Sequence, residues 1–336
     1  MGDLKPFVNQ CDIKIRQDRI GRYFKRYTES FVFDELSESY WEKAGQGLVD
    51  VMKGVPVPLR KEEMGGQGLS ILRLAENMGW IMGIDPHFAY TKHYVDFLNK
   101  LFGDAAAEGL LGKGTSAADA GKLDEACIYF RAALCVAPTD LHAMYSYAKV
   151  CRDMYLESND EEYIGRFKAE ATEYFELLTE VHPEFVQAYY YLGYAYLNMG
   201  LYVKAQLAWE SFMGKSQMPD DSEEIQERLW QIAEPVEIER GCNMVLSGSF
   251  HRGLEVLEPF METQYKTWWP LSYYLGVCYA RVGRQQEALD SFKNVLTMNA
   301  SHLETMEELA DIYAAYDDRE NEEKYRRKVE LVRGAE

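Results

Sequence analysis

Three stretches of the 336-residue sequence hold residue types that could do chemistry, and each fails on spacing. In LLGKGTS, Leu110–Ser116, Lys113 suits a phosphate-binding loop. However, Gly114 follows it where Ser or Thr would ligate a metal, and Ala107 stands where the first glycine is needed. The stretch GGQGLS, Gly65–Ser70, lacks the last glycine of a dinucleotide loop and follows charged residues rather than a strand. Ser146-Tyr147-Ala148-Lys149 has SxxK spacing without the companion motifs of that serine chemistry. The six histidines include no HExxH, and His87 and His93, six apart, cannot share a helix face, so neither a metal nor a cofactor is expected. Cys11, Cys127, Cys135, Cys151, Cys242 and Cys278 form no CxxC and read as small apolar fillers in a reducing compartment. No catalytic residue is assigned, and the chain reads as a non-enzyme.

The elements that would position any site must come from a core, and 47% hydrophobic composition supplies one large or two ordinary domains. A net charge of −19 repels phosphate backbones and anionic headgroups, which disfavours nucleic acid as the main partner and excludes an electrostatic membrane anchor. The first 28 residues reverse this: Lys5, Lys14, Arg16, Arg19, Arg22, Lys25 and Arg26 outnumber Asp3, Asp12 and Asp18. That segment reads as a solvated helix face or as an arm docked on the acidic body. The opening residues lack a signal-peptide pattern and no apolar run reaches the roughly 18 residues of a membrane span, which predicts a cytoplasmic location.

Self-similarity organises the rest. Tyr189, Leu192, Gly193, Tyr196, Gly200, Ala205 and Trp209 define a frame that returns at Leu275, Gly276, Tyr279, Gly283, Ala288 and Phe292. A weaker copy lies at Gly241, Gly248, Gly253 and Leu257, and half-frames at Gly114, Gly121, Ala126 and Phe130, at Met144, Tyr147, Ala148 and Cys151, and at Met306, Leu309, Ala310 and Tyr313. The small residues at 114, 148, 193, 241, 276 and 310 are spaced by 34, 45, 48, 35 and 34, and the two long intervals contain visible insertions. Gly121, Gly200, Gly248 and Gly283 stand where helices should stop in a left-handed residue.

Over residues 107 to 333 this frame resembles the tetratricopeptide repeat (TPR), a helix-turn-helix unit of about 34 residues. The resemblance implies an all-α, right-handed superhelical solenoid of antiparallel helix pairs, with a helical N-terminal extension. Residues 1–68 are then the extension: a basic arm, a helix over Asp34–Lys53, and an extended linker at GVPVPLR. Residues 69–106 form a degenerate pair, 107–220 repeats 1–3, 221–233 an extra connecting helix, and 234–333 repeats 4–6. In that extra helix Ile225, Leu229 and Ile232 share a stripe, Asp221 or Ser222 is the N-cap, and Pro235 is a break. The sixth copy lacks the small residue of its second helix and reads as a polar capping pair.

With the small residue of each frame numbered 8, positions 4, 7, 8 and 11 share a helix face, while 2, 5, 9 and 12 share nearly the opposite one. Tyr189 and Tyr196 fall on the first face and read as core. The resemblance implies that the second face lines a concave groove that holds peptides or partner helices. Carried over, that groove presents His142, Tyr145, Lys149 and Arg152, then Gln187, Tyr190, Tyr194 and Asn198, and further on Tyr273 and Arg281. Tyrosine beside cations suits a protein-binding surface, with Lys149 and Arg152 available to an acidic group. The competing assignment packs Tyr145 or Tyr190 on the lengthened second helix or on the N-terminal segment. Position 5 is never Lys, so the family's carboxylate-clamping chaperone-tail pocket is unsupported. The implied function is a non-catalytic scaffold for a protein or peptide ligand. The alternative is a peptide-sensing transcription regulator whose basic N-terminal region touches DNA, for which the sequence offers no helix-turn-helix before residue 60.

Overall fold

A computed structural model describes residues 18–45, 47–63, 69–216 and 219–334. Lys5, Lys14 and Arg16, Cys11, the strand-like alternation of Asp12–Arg16 and most of the GGQGLS stretch lie outside the described residues. The chain divides into two compact units, Met1–Tyr196 and Leu197–Glu336.

In the first unit, β1 (Phe31–Glu35) pairs antiparallel with β2 (Pro56–Arg60), Phe33 opposite Pro58. This corrects two expectations, the extended linker at GVPVPLR and the single helix over Asp34–Lys53. That helix is replaced by the end of β1 and two short helices, α1 (Glu38–Ala44) and α2 (Leu48–Met52). The N-terminal extension is therefore mixed rather than helical. Pro56 and Pro58 are tolerated because residues two apart project their backbone polar groups to the same strand edge. On that edge their carbonyls accept from Tyr94 Oη (2.6 Å) and Asn77 Nδ2 (3.2 Å) instead of from a strand.

Helices follow: α3 (Ile71–Ile84), α4 (Thr91–Phe102), α5 (Ala105–Asp119), α6 (Leu123–Val136), α7 (Leu141–Glu157), α8 (Glu161–Val181) and α9 (Val186–Asn198), within which the unit boundary falls. α5 pairs with α6 and α7 with α8, while α3 packs chiefly on α6. Small residues set these approaches. A Cβ on Gly114 would lie 2.4 Å from the Phe130 ring, and one on Gly83 would lie 2.0 Å from the Ile128 carbonyl oxygen.

The second unit holds α10 (Tyr202–Lys215), α11 (Pro219–Gln231), α12 (Ala233–Leu246), α13 (Phe250–Leu257), α14 (Trp269–Arg281), α15 (Gln285–Met298), α16 (Leu303–Ala315) and α17 (Arg319–Arg333). Its core includes Ile238, Leu257, Leu275, Phe292 and Leu309. In α11, Ile225 is buried and Leu229 half-buried, but the helix starts at Pro219, upstream of the N-cap assigned to Asp221 or Ser222. The break expected at Pro235 falls at Ile232, between the end of α11 at Gln231 and the start of α12 at Ala233, and Pro235 sits in the first turn of α12, where no N–H is needed for the helix.

The pairs share one turn. Gly121, Gly200, Gly248 and Gly283 adopt φ between +71° and +85°, as their placement in the sequence predicts. After three of them the chain bonds six-to-one: Lys122 N to Ala117 O (2.9 Å), Ser249 N to Met244 O (2.8 Å) and Arg284 N to Tyr279 O (2.8 Å). In the last pair Asp317 takes the role at φ +56°, and Asp318 N reaches Tyr313 O at 3.0 Å. The protein is thus an all-α array of helix pairs with one small two-stranded sheet among its described residues.

Candidate protein-binding face

Asp140 caps α7, its side chain accepting from Ala143 N at 2.7 Å. This start turns Ala143, Met144, Tyr147, Ala148 and Cys151 inward. His142 and Lys149 are left exposed, and Tyr145 and Arg152 half-buried. α9 buries Ala188, Leu192, Gly193, Ala195 and Tyr196, and the Tyr196 hydroxyl donates to Glu176 at 2.6 Å. Gln187, Tyr190 and Tyr194 are half-buried on α9 and Asn198 is exposed. Tyr189, assigned to the core, is only half-buried, and its hydroxyl donates to Pro183 O at 3.1 Å.

Side-chain contacts join the two helices. The Tyr145 ring meets Phe185 edge-on at 5.0 Å and Tyr191 at 6.0 Å. Tyr191 stacks on Phe175 at 5.4 Å, 12° from parallel, and touches Tyr190, which meets Tyr194 at 5.2 Å. Arg152 lies over the Tyr191 ring at 5.4 Å and donates to Asp153 at 3.1 Å, so its charge is already shared. Burial pushes the Tyr145 hydroxyl above its ordinary value. Tyr145 is thus covered by Phe185 of the connecting loop and Tyr191 of α9, which belong neither to the lengthened second helix nor to the N-terminal segment.

In the second unit Tyr273 is half-buried against Tyr274, Phe292 and the His302 ring, 4.9 Å away. Its hydroxyl is pushed up to about 12 by burial and then by Glu308 and Glu304. Arg281 is exposed and donates to Glu308 at 3.1 Å. Position 5 of the fourth copy, Ile238, is fully buried, so the second face is not open in every copy.

Phe185 and Tyr191 were not assigned to either helical face in the sequence, and Phe175 was read only as a large residue of the repeat frame. The signal was the unbroken Tyr189-Tyr190-Tyr191 run, in which the third ring lies between the two helical faces and bridges to the preceding pair.

Elsewhere in the first unit a cavity of about 230 Å³ is lined by Asp18, Arg131, Tyr147, Glu170, Leu177 and others. Most of its charged groups are committed to one another, although Arg131 Nη1 is buried there without a hydrogen-bond partner. Arg131 pairs with Asp18 at 2.5 Å, and Tyr147 donates to Glu170 at 2.8 Å. The aromatic face, shallower but presenting side chains outward, is the stronger candidate for a macromolecular ligand. Burial pushes the thiols of Cys135 and Cys242 up to about 12 and that of Cys278 to about 11, which makes them poor nucleophiles. Among the described residues no group of three or more His, Cys, Asp or Glu converges as a metal site, and no helix is long and apolar enough to cross a membrane.

Comparison with known proteins gives a family match over residues 155–211, to the tetratricopeptide repeat. No curated protein matches the chain. Among solved structures, MamA protein is similar at 14% identity, covering 68% of this chain and 92% of that one, with a TM-score of 0.29. The P58(IPK) TPR domain is similar at 18% identity, covering 66% and 59%, with a TM-score of 0.38. YrrB, described as a TPR protein with an unusual peptide-binding site, is similar at 17% identity, covering 60% and 91%, with a TM-score of 0.30. Superpositions this loose carry no inference about ligand or curvature. Residues 155–211 thus match the tetratricopeptide repeat, and glycine-capped, small-residue helix pairs recur on both sides of that segment.

Proposed function

We propose that the chain is a non-catalytic protein-interaction scaffold that takes a peptide or partner helix on the tyrosine-rich face of α7 and α9. The observation that carries this reading is the ladder Tyr145, Tyr191, Tyr190, Tyr194, half-buried and flanked by exposed His142, Lys149 and Asn198. Half-buried tyrosines offer rigid contact area at low entropic cost, and a polar tip that tolerates water while the face is empty. Lys149 supplies the cation for an acidic group on the ligand, with Arg152 contributing mainly by holding Tyr191 in place. Tyr273 and Arg281 extend the same chemistry within the second unit.

The DNA-binding alternative loses its support in the described residues. Arg19, Arg22 and Arg26 of the basic segment are paired with carboxylates of the protein itself, which leaves little free charge for phosphates.

The test compares wild type with Tyr190→Ala/Tyr194→Ala for capture of partners from lysate, followed by peptide scanning of any partner captured. Helix content of the variant is checked first. A partner retained by wild type and lost by the folded variant supports the face. Equal capture by both places binding elsewhere. Lys149→Ala should weaken an acidic peptide specifically, and unchanged affinity would remove the charge assignment.

A further inference from the structure

Residues 18–30 lie along α6 and α8 much as a bound peptide would. Ile20 and Phe24, four apart, are fully buried. Short 3-10 turns at Gly21–Tyr23 and Lys25–Ser30 place three arginines on the other side. Arg19 bridges Glu170 and Glu173, Arg22 meets Glu162 at 2.6 Å, and Arg26 meets Asp124 at 2.5 Å. Beneath them the rings pair edge to face: Tyr23 with Tyr163 at 4.9 Å, Phe24 with Phe167 at 6.3 Å and Tyr27 with Trp80 at 6.1 Å. The backbone is also read, since Arg166 donates to the Arg19 carbonyl at 3.2 Å.

The receiving surface therefore has four carboxylates, Asp124, Glu162, Glu170 and Glu173, above an aromatic floor of Tyr163, Phe167 and Trp80. These are the contacts of a peptide site: apolar anchors in closed pockets, with ion pairs at the wet rim, where the three arginine side chains stay 42 to 67% exposed. We propose that this surface is a binding site for basic, aromatic peptide segments, two apolar anchors four apart among arginines, and that residues 18–30 are its tethered occupant. A partner that replaces them carries the same chemistry. Being untethered, it competes against an effective concentration that a short tether raises to about the millimolar range. The site shares no residue with the tyrosine ladder of α7 and α9, so either reading can fail alone.

The test uses the full chain and a labelled peptide of residues 18–30, DRIGRYFKRYTES. Arg19→Ala/Arg22→Ala/Arg26→Ala removes the rim pairs of the tethered segment and leaves its buried anchors. That variant should bind the peptide at least about tenfold tighter than wild type, since the tether's advantage falls. Phe24→Ala, which vacates an anchor and keeps the arginines, should open the site independently. Adding Glu162→Gln/Glu173→Gln to either should lower the affinity again. The proposal is overturned if both opened variants keep their helix signal yet bind no better than wild type. It is equally overturned if a scrambled peptide of the same composition binds as well as the true one.

Discussion

Glu170 shows what a single residue inherits from its surroundings. Burial holds its carboxyl above the ordinary glutamate value, while the hydrogen bond from Tyr147 and the charges of Arg131 and Arg19 oppose that. Between the ordinary and the raised value the folded chain binds more protons here than the unfolded chain, so this group's contribution to stability falls as pH rises through that window. Glu170→Gln has no proton to lose. Urea melts should show the variant gaining on wild type as pH rises above the ordinary glutamate range, and a pH-independent difference would refute the assignment. Glycines give a sharper contrast. A Cβ on Gly276 would lie 2.6 Å from the Phe292 ring, whereas one on exposed Gly109 of α5 meets nothing within 4 Å. Gly276→Ala should therefore cost about 1–3 kcal/mol by overpacking, and Gly109→Ala should stabilise by about 0.5–1 kcal/mol through helix propensity. Equal effects in thermal melts would mean that the repeat frame is misregistered. The tyrosines were readable only in part at this scale. Helical periodicity separates Tyr196 from Tyr190 and Tyr194, but the burial of Tyr145 depends on Phe185, a loop residue whose reach no periodicity encodes.

At the scale of elements, the glycine turns were legible and the partners were not. Left-handed glycines at the ends of helices follow from sterics local to each turn, whereas the N-cap at Asp140 was not read from the sequence and the one assigned to Asp221 or Ser222 lies inside α11. Asp140→Ala should cost about 1 kcal/mol, seen as a lower melting temperature without loss of helix at low temperature. The association of α3 with α6 is a different kind of fact. It requires Gly83 to sit against the Ile128 carbonyl, and nothing in either segment announces the other. Gly83→Ala should reach or exceed the upper end of the ~1–3 kcal/mol range for overpacking, because backbone cannot move aside as a side chain can. Hydrogen exchange should show α3 losing protection first. β1 and β2 escaped notice for a related reason: each is five residues long, and one carries two prolines, so only their mutual pairing makes them strands.

At the scale of the whole molecule, stability is shared among neighbouring pairs, and an end pair has one neighbour fewer. α17 buries only Tyr325 and Val329, with Tyr325 stacked on Tyr313 at 5.8 Å. Its amides should exchange faster than those of α14 and α15, and equal protection would argue against a capping role. The sequence by itself determined the repeat, because close helix packing demands a small residue at a fixed offset from a large one, and a tight turn demands a left-handed residue. Both demands are local and recur with the period. Tertiary structure alone decided where the basic segment goes and which aromatic rings stay open. Those outcomes depend on ion pairs and ring contacts between residues far apart in the chain, such as Arg26 with Asp124, and long-range pairing leaves no periodic trace in either partner.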